Sequence, residues 1–401
     1  MIYTKDINNL QLLLIVQMET EKKDIIKWDD LELKDNLLRG IYAYGFETPS
    51  EIQKRAIPPI IQCKNVIAQS QSGSGKTGAF AISMLQRIDL DKRKVQVLVL
   101  SPTHELVTQT AKVIRDIGSN MVGLTVKTLV GGTSSREDIN DLRNTTPHIV
   151  VGTIGRVFDM FQKQHFLGND LRLLILDEAD EMLSEGFSQK VQLMFSHFFP
   201  VSIQIVLFSA TMPKEVLTLS EKFIKNPLHL LMKTEDLSLK CIEQYYVAVS
   251  NDQMKYSVLK DIFASISVSK CIIYCNHVQR VATLTDSMMR DGFSVCCIHS
   301  NMNKIHRGEV LNQFRMGDTR VLISSDVTSR GIDIQQVSTV INFDLTRSVS
   351  TYLHRVGRGG RWGRKGAAIT FVTRQDVPDM RRLESYYKID IPELPSSWKG
   401  I

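Results

Sequence analysis

The sequence lacks the features that mark membrane, secreted or zinc-binding proteins. Its N-terminal apolar run, Leu12–Val16, is too short for a membrane span or for the core of a signal peptide, and no small-residue cleavage site follows it. The six cysteines show no CxxC spacing and none of the pairing with histidine that zinc sites use. Several of them lie inside apolar, strand-like runs, so we expect buried, reduced thiols in an intracellular protein.

The chain also has no large excess of charge of either sign. Of its 401 residues, 43% are hydrophobic and 23% are charged, which is the composition of a globular protein and not of a disordered tail. The formal net charge of +6 permits binding to a polyanion but does not require it. The length suits two ordinary domains of about 100–200 residues each.

The most informative stretch is the glycine-rich segment Ser70–Thr77. It follows the strand-like run Val66–Ala68 and opens a helical pattern, so its turn would aim backbone N–H groups and the positive end of a helix dipole at one point. The segment begins with Ser70 instead of the usual glycine but keeps a GxGKT core. It predicts a nucleotide site in which Lys76 reaches the terminal phosphates and the Thr77 hydroxyl binds Mg²⁺. The remaining candidate phosphate-binding residues are Ser72, Gly73, Ser74 and Gly75.

A second candidate element is the acidic turn that follows the apolar run Leu173–Leu176. A buried strand would deliver Asp177 and Glu178 at its carboxyl end, where parallel sheets place their ligands. We expect Asp177 to hold Mg²⁺ and Glu178 to orient and deprotonate the water that attacks the γ-phosphate. The next strand-like run ends in Ser209–Thr211, which offers two hydroxyls near these carboxylates.

Strand-like and helical patterns alternate in two series, which predicts an α/β protein with parallel sheets. A polar stretch, Lys233–Lys240, separates the two series and is interpreted as a linker. Predicted strands of the first series are Val95–Leu100, Val126–Val130, Ile149–Val151, Leu171–Leu176 and Ile203–Phe208. Those of the second are Tyr245–Val249, Cys271–Cys275, Val295–Ile298, Val321–Ile323, Val340–Ile341 and Ala368–Val372.

The second series has no phosphate loop of its own and carries the basic run His354–Lys365 instead. Glycines between the cations let the backbone bring guanidinium groups close to a phosphate, although a solvated basic face is the simpler alternative. If the second domain docks on the first, Arg358 and Arg361 would stabilise charge on the transferred phosphoryl group, and Trp362 would cover the base.

These stretches, with GFETPSEIQ at Gly45–Gln53 and SRGID at Ser329–Asp333, occur in an order that resembles the DEAD-box ATP-dependent RNA helicases, most closely those of the eukaryotic translation initiation factor 4A type. The resemblance runs from Trp28 to the C-terminus. It implies two tandem RecA-like domains, each a mainly parallel sheet flanked by helices. The implied division is an N-terminal extension at 1–27, a first domain at 28–232, a linker at 233–240 and a second domain at 241–401.

The resemblance also assigns roles to single residues. Phe46 would stack on the base and Gln53 would read it, although a lone glutamine is more often a surface residue. Gly331 would belong to the nucleotide site and Asp333 would lie near the ribose. Residues that would couple the two domains are Asp180, Ser209, Thr211, Arg330 and His354. Residues that would contact RNA, mostly at phosphate and ribose, are Thr103, Gly131, Gly132, Thr153, Gly155, Arg156, Asn276, Arg307, Ser325 and Asp326.

The implied activity is ATP hydrolysis coupled to local RNA unwinding, with ATP and Mg²⁺ as cofactors and RNA bound largely without regard to sequence. Translation initiation in the cytoplasm is the implied process. The alternative is an ATP-gated RNA clamp in a nuclear or nucleolar assembly that marks spliced messages or matures ribosomal RNA. Protein partners that stimulate or lock the cycle are expected, with no membrane association and a monomer outside its complex. Met18, which precedes a polar segment, is the hypothesised working start.

Four residues depart from the family pattern: His104 replaces arginine, Ile154 replaces proline, Lys304 replaces glutamine and Ser329 replaces alanine. His104 bears most directly on RNA binding. An imidazole with an ordinary pKa of about 6.5 is mostly neutral at pH 7, so it attracts a phosphate weakly compared with a guanidinium.

We therefore predict that His104→Arg tightens RNA binding a few-fold near neutral pH and flattens its pH dependence. RNA affinity of the two proteins, measured between about pH 6 and pH 8, checks this. The parent protein should bind RNA more tightly as the pH falls. Equal affinities across the whole range would contradict the prediction.

Overall fold

The structure is a computed structural model that describes residues 25–71, 73–183, 185–231, 242–265, 269–328, 337–359, 366–396 and 398. The predicted linker and most of the predicted N-terminal extension lie outside these residues. We call 25–231 the first lobe and 242–398 the second lobe. No helix among the described residues has both the length and the apolar character needed to cross a bilayer.

The first lobe is built on a seven-stranded sheet in the order β3-β4-β2-β5-β6-β1-β7, in which every neighbouring pair is parallel. Its strands are β1 Val66–Gln69, β2 Val97–Ser101, β3 Val126–Leu129, β4 Ile149–Thr153, β5 Leu173–Asp177, β6 Gln204–Ser209 and β7 Leu228–Leu230. The short edge strand β7 was not predicted, because two of its three residues are exposed and it lacks an apolar run.

The second lobe has a six-stranded sheet in the order β10-β11-β9-β12-β13-β8, again parallel throughout. Its strands are β8 Ile242–Ala248, β9 Cys271–Tyr274, β10 Val295–Ile298, β11 Val321–Ser324, β12 Thr339–Asn342 and β13 Gly366–Val372. The predicted α/β class with two mainly parallel sheets is confirmed.

Helices connect the strands of both sheets. Those of the first lobe are α1 Asp35–Ala43, α2 Glu51–Ile61, α3 Lys76–Arg87, α4 His104–Ile117, α5 Ser135–Asn144, α6 Ile154–Gln162, α7 Ala179–Met182, α8 Glu185–His197 and α9 Lys214–Phe223. Those of the second are α10 Lys255–Ser265, α11 Val278–Arg290, α12 Lys304–Met316, α13 Val349–Val356 and α14 Val377–Tyr387.

Continuous apolar strands explain why the first sheet is covered on both faces. Along β2, Val97 and Val99 pack into one hydrophobic cluster while Leu98 and Leu100 pack into another on the opposite face. Successive side chains of a strand point to opposite faces, so a run without polar interruptions needs helices on both sides. A strand that is apolar on both faces therefore favours a fold with a layer of helices on each side of the sheet.

Strand starts differ most from the prediction at β8, which begins at Ile242 and not at Tyr245. Its early residues include Glu243 and Gln244, which broke the apolar pattern. An edge strand tolerates such residues because one side of it stays accessible, and here Gln244 accepts a hydrogen bond from the Tyr352 hydroxyl at 2.8 Å.

Candidate nucleotide site and nucleic-acid interface

Three loops that are far apart in sequence meet at one edge of the first sheet. The glycine-rich segment follows β1, the acidic turn begins at the last residue of β5, and Ser209–Thr211 begins at the last residue of β6. Because β5, β6 and β1 are neighbours and parallel, their carboxyl ends emerge side by side. The sheet order therefore builds one site from three sequence motifs.

Glycines allow the backbone conformation of the loop after β1, and hydrogen bonds of serine hydroxyls stabilise it. Gly73 and Gly75 have φ values of +81° and +98°, a region that side-chain-bearing residues rarely adopt. The Ser70 hydroxyl donates to Ser74 Oγ at 2.7 Å, and Ser74 Oγ donates to the Gln71 carbonyl at 2.8 Å. The serine that replaces the usual first glycine thus helps to hold the loop in shape. Ser72 lies outside the described residues.

Gln53 is part of this site and not a surface residue. It is only 3% exposed, its Oε1 accepts from the Ser50 N–H at 2.7 Å, and its Nε2 donates to the Gly75 carbonyl at 3.2 Å. The Ser50 hydroxyl donates to the Ser74 carbonyl at 2.8 Å. The amide that would read a base is therefore tied directly to the phosphate loop, and the surface alternative is wrong.

Phe46, the predicted stacking residue, lies in an aromatic group beside Gln53. Its ring stacks on Trp28 at 6.0 Å and meets Tyr44 edge-on at 4.8 Å, while the Trp28 indole donates to the Phe46 carbonyl at 3.1 Å. A Cβ at Gly78 would lie 2.7 Å from Gln53 Nε2 and 2.9 Å from the Phe46 ring. Gly78, in the first turn of α3, therefore lets both side chains approach the helix start.

Lys76 and the acidic pair face each other in a buried pocket. Lys76 is 6% exposed, its Nζ has no hydrogen-bond partner among the described residues, and it lies 3.8 Å from Glu178 Oε1. Asp177 and Glu178 are each 3% exposed, and Glu178 has the left-handed φ of +53°. A buried ammonium without a hydrogen-bond partner is costly, even beside a carboxylate, so the pocket is suited to an anion that is not part of the chain.

The two carboxyls respond to this environment in opposite directions. Burial, and then the charge of Glu178, raises the pKa of Asp177 to about 7 against the opposing charge of Lys76. Burial also disfavours the charged form of Glu178, but Lys76, His354 and Arg358 together hold its pKa below the ordinary value. Glu178 is therefore ionised at neutral pH, as a residue that orients a water must be.

The same observations fit a Mg²⁺ ion. Burial and the charge of Glu178 disfavour the ionised form of Asp177 and so raise its pKa, and a bound cation would stabilise that form. Carboxylate and hydroxyl oxygens are the donors that Mg²⁺ prefers. Thr77, half-buried in the first turn of α3, follows Lys76 directly and supplies a hydroxyl. The residues present suit the ion that the sequence predicts.

Asp180 joins the motifs to one another and to the second lobe. Ser209 Oγ donates to its Oδ1 at 2.8 Å, Thr211 Oγ1 donates to its Oδ2 at 2.7 Å, and the Asp180 N–H donates back to Ser209 Oγ at 3.3 Å. From the other lobe, His354 Nε2 lies 3.0 Å from Asp180 Oδ2 and 3.9 Å from Glu178 Oε2. Four of the five predicted coupling residues thus form one contact set. The fifth, Arg330, lies outside the described residues.

The second lobe reaches the pocket through α13 and the turn after it. Arg358 is fully buried, its Nε donates to the His354 carbonyl at 3.1 Å, and its charge acts on Glu178. Ala210 of the first lobe packs in a hydrophobic cluster with Tyr352, Leu353 and other residues of the second. The lobes are therefore in contact at the site. Arg361, Trp362, Gly331 and Asp333 lie outside the described residues.

Predicted RNA-contact residues of the first lobe gather at the other half of the same sheet edge, after β3, β4 and β2. Gly131 and Gly132 are exposed after β3, and Gly132 has a φ of +79°. Thr153 is the residue that precedes α6, and Gly155, in the first turn of that helix, has open space around it. Thr103 caps α4 by accepting from the Leu106 N–H at 3.3 Å. Two helix starts and a glycine turn are suitable for binding phosphates.

Arg156 requires a correction, because its guanidinium is not presented to a ligand. It is 8% exposed, and it donates to the Val130 carbonyl at 3.0 Å, to the Thr133 carbonyl at 2.5 Å and to the Ser135 hydroxyl. It also pairs with Asp138 at 3.5 Å. Arg156 therefore holds the loop that carries the exposed glycines, and its effect on RNA would be indirect.

Arg307 connects the two lobes on this side. Its Nη1 lies 3.1 Å from Glu105 Oε1 of the first lobe, and both side chains are about nine-tenths buried. Ser325, after β11, is also buried, and its hydroxyl has no partner among the described residues. The nucleic-acid side of the cleft thus has its own contact between the lobes.

Asn276 and Asp326, two further predicted RNA contacts, are bound by a residue that the sequence did not single out. Fully buried Arg355 donates to Asp326 Oδ1 at 2.6 Å, to Asp326 Oδ2 at 3.0 Å and to Asn276 Oδ1 at 2.7 Å. Asn276 Nδ2 donates to the Leu345 carbonyl at 2.9 Å. The Asn276 N–H donates to Asp344 Oδ2 at 3.0 Å, so both its side chain and its backbone N–H are engaged inside the second lobe.

Comparison with known proteins agrees with this site. The DEAD/DEAH box helicase family matches residues 50–219, and the helicase conserved C-terminal domain matches residues 254–363. The protein named ATP-dependent RNA helicase eIF4A from Saccharomyces cerevisiae is 48% identical over 374 residues, which are 93% of this chain and 94% of that protein. The chain belongs to the DEAD-box helicase family. It is an ATP-dependent RNA helicase with two RecA-like domains, as the motifs predicted.

Solved DEAD-box structures are similar over nearly the whole chain. S. cerevisiae Dbp5 bound to RNA and ADP BeF3 has a TM-score of 0.85 at 32% identity and covers 92% of this chain and 96% of its own. A variant of Dbp5 bound to Nup159, a Gle1 variant, IP6 and ADP has a TM-score of 0.62 at 31% identity, covering 91% and 96%. The arrangement of the lobes here is therefore closer to that of the first structure.

Several residues of this helicase site were missed by sequence reasoning. Glu105 and Arg355 lie inside recognised motifs, but nothing in their spacing shows which residues they pair with. Gly78 follows the phosphate loop directly, and a glycine inside a helix start is the one sequence feature that could have marked it. Trp28 was noted only as the beginning of the patterned sequence.

We predict that Gly78→Ala raises the KM for ATP about tenfold or more while the protein stays folded. The new Cβ would displace Gln53 or Phe46, and overpacking of this kind costs about 1–3 kcal/mol. Steady-state ATPase assays and thermal melting check this. Gly308→Ala, in the exposed face of α12 where a Cβ meets nothing within 4 Å, is the matched control. An unchanged KM in Gly78→Ala would refute the base-site assignment of these contacts.

Proposed function

We propose that this helicase hydrolyses ATP at the cleft between its lobes and uses closure of that cleft to bend a bound RNA strand and separate base pairs locally. The observation that supports this best is the buried ammonium of Lys76, which has no hydrogen-bond partner among the described residues and lies in a pocket that the second lobe completes through His354. The first lobe alone would leave that pocket open to water. Closure would exclude water and strengthen each electrostatic contact inside it.

Each residue at the cleft has a separate part in the hydrolysis. The loop from Gly73 to Gly75 and Lys76 bind the phosphates of ATP, with Gln53 and Phe46 holding the base. Glu178 orients the attacking water and accepts its proton. Arg358, joined by Arg361, stabilises the charge that develops on the γ-phosphoryl group, a contribution worth about 10³–10⁵ in rate in other NTPases. Mg²⁺, held by Thr77 and Asp177, would neutralise charge on the phosphates.

RNA binds along the adjoining half of the cleft. The helix starts at Thr103 and Thr153, the glycines 131–132 and Arg307 contact phosphate and ribose, which fixes the strand without reading its sequence. Both ligands need contacts from both lobes, so RNA and ATP each favour the closed arrangement. Binding of one ligand therefore increases the affinity for the other. A strand held in this way is bent away from A-form geometry, and pairing with its complement is weakened.

Similarity to other proteins supports our proposals for the cellular process that this helicase serves and for its protein partners. The curated relatives carry the name eIF4A, and we propose translation initiation in the cytoplasm as the process. The lobes are arranged more nearly as in Dbp5 bound to RNA and ADP BeF3 than as in the Dbp5 variant bound to Nup159 and a Gle1 variant. We take the present arrangement to be the one that holds RNA and ATP. Protein partners that shift the lobes would then set the rate of the cycle, acting on a protein that is monomeric by itself.

We predict that Glu178→Gln retains ATP and RNA binding but lowers the RNA-stimulated turnover at least about 100-fold, because the amide cannot accept the proton of the attacking water. Single-turnover ATP hydrolysis and RNA binding by fluorescence anisotropy check this. Glu221→Gln, on the exposed face of α9, is the matched control. Hydrolysis at the parent rate in Glu178→Gln would show that another group is the base.

A further inference from the structure

Buried polar atoms without a hydrogen-bond partner are concentrated at two places among the described residues. Eight side-chain atoms are in this condition. Three belong to the nucleotide pocket: Lys76 Nζ, Glu178 Oε2 and His354 Nδ1. Three others belong to the second lobe: His299 Nδ1, Arg307 Nε and Ser325 Oγ. Buried polar groups are normally satisfied, so a group of unsatisfied ones marks a place where a ligand supplies the partners.

The second group of atoms lies at one corner of the second sheet, where β10 and β11 end together. Ile298 is paired with Ser324 in the sheet, and the Ser325 N–H donates to the Ile298 carbonyl at 3.3 Å. His299 and Ser325 are therefore the first residues beyond two paired strand ends. The Met302 N–H donates to the His299 carbonyl at 3.2 Å, which fixes the turn that carries the histidine.

Arg307 adds a charge to this corner. Burial, and then the positive charge of Arg307, lowers the pKa of His299. The imidazole is therefore neutral at pH 7 and offers one N–H donor and one nitrogen acceptor. His299 therefore differs from a cationic residue that binds phosphate. The fixed positive charge at this corner is carried by Arg307.

The corner faces the nucleic-acid half of the cleft. Arg307, through Nη1, bonds to Glu105 of the first lobe at 3.1 Å, so the corner is closed on one side when the lobes meet. A ligand that passes from the first lobe to the second along this edge would reach the strand ends of β10 and β11. On the proposed function, that ligand is a single RNA strand.

We propose that His299 is a specificity-determining residue that hydrogen-bonds a ribose 2′-hydroxyl of the bound strand, while Arg307 and Ser325 bind the neighbouring phosphate. The inference rests on the proposed function, since it concerns the same RNA path. A hydroxyl both donates and accepts, which matches a neutral imidazole, whereas a phosphate only accepts and is better matched to a guanidinium and a hydroxyl. The 2′-hydroxyl is also the group that distinguishes RNA from DNA.

The test measures binding of a single-stranded RNA and of a DNA with the same sequence to the full chain, with a non-hydrolysable ATP analogue present. His299→Phe keeps a planar ring but removes both nitrogens. We expect its RNA affinity to fall about tenfold, the loss expected of one hydrogen bond, and its DNA affinity to stay within about twofold of the parent value. His299→Asn places an amide group near the position of Nδ1 and should restore part of the RNA affinity.

His306→Phe is the matched control, because His306 lies on the same helix as Arg307, pairs with Glu309 at 3.3 Å and is 62% exposed. It should leave the ratio of RNA to DNA affinity unchanged. A second experiment uses the parent protein with RNAs in which single riboses are replaced by 2′-deoxyribose, so no protein substitution can affect folding. Replacing the ribose that contacts His299 should lower the affinity about tenfold.

Equal losses of RNA and DNA affinity in His299→Phe would overturn the inference, since they indicate a phosphate contact or a structural role. A parent protein that binds both strands equally would also overturn it, while leaving RNA-stimulated ATP hydrolysis intact. A parent protein whose ATPase responds to neither strand would instead refute the proposed function itself. The three failures are therefore distinguishable.

Discussion

The structure depends most on a single buried carboxylate, that of Asp180. It accepts hydrogen bonds from Ser209 and Thr211 of the first lobe and meets His354 of the second. A buried carboxylate is stable only when its lone pairs are bonded, so the loop after β6 and helix α13 are both held to the acidic turn. This contact places the second lobe over the nucleotide pocket, and separating the lobes would leave Asp180 with one partner fewer.

The order of the strands divides each sheet into two functional halves. In the first lobe the carboxyl ends of β5, β6 and β1 form the nucleotide pocket, and those of β3, β4 and β2 carry the predicted RNA contacts. In the second lobe His299, Ser325 and Asn276 follow β10, β11 and β9, while α13 follows β12. Helix α13 serves both halves, since His354 contacts Asp180 and the next residue, Arg355, binds Asn276 and Asp326. A movement of this helix would therefore change contacts at the RNA path and at the γ-phosphate position at the same time.

Sequence reasoning predicted the α/β class and the position of the phosphate loop and the acidic pair at strand ends, because each depends on neighbouring residues and a local period. The family resemblance named the residues that couple the lobes, but reasoning from the residues alone did not predict which side chains pair across the sheet or between the lobes. Gln53 looked like a surface residue until the Gly75 carbonyl was found beside it, and Arg156 looked like a phosphate ligand until its bonds to Val130 and Thr133 were seen. Long-range partners of this kind are fixed by strand order and helix packing, which a single sequence does not specify.

The most direct test of this account is the distance between the lobes in solution, measured by energy transfer between dyes at the exposed positions Val122 and Met316. With ATP analogue and RNA together, the parent protein should show one short distance, and without them a longer or broader distribution. In His354→Ala the nucleotide should still bind to the first lobe, but the short distance should be largely lost. A variant that closes as fully as the parent protein would contradict the central role of the contact between Asp180 and His354.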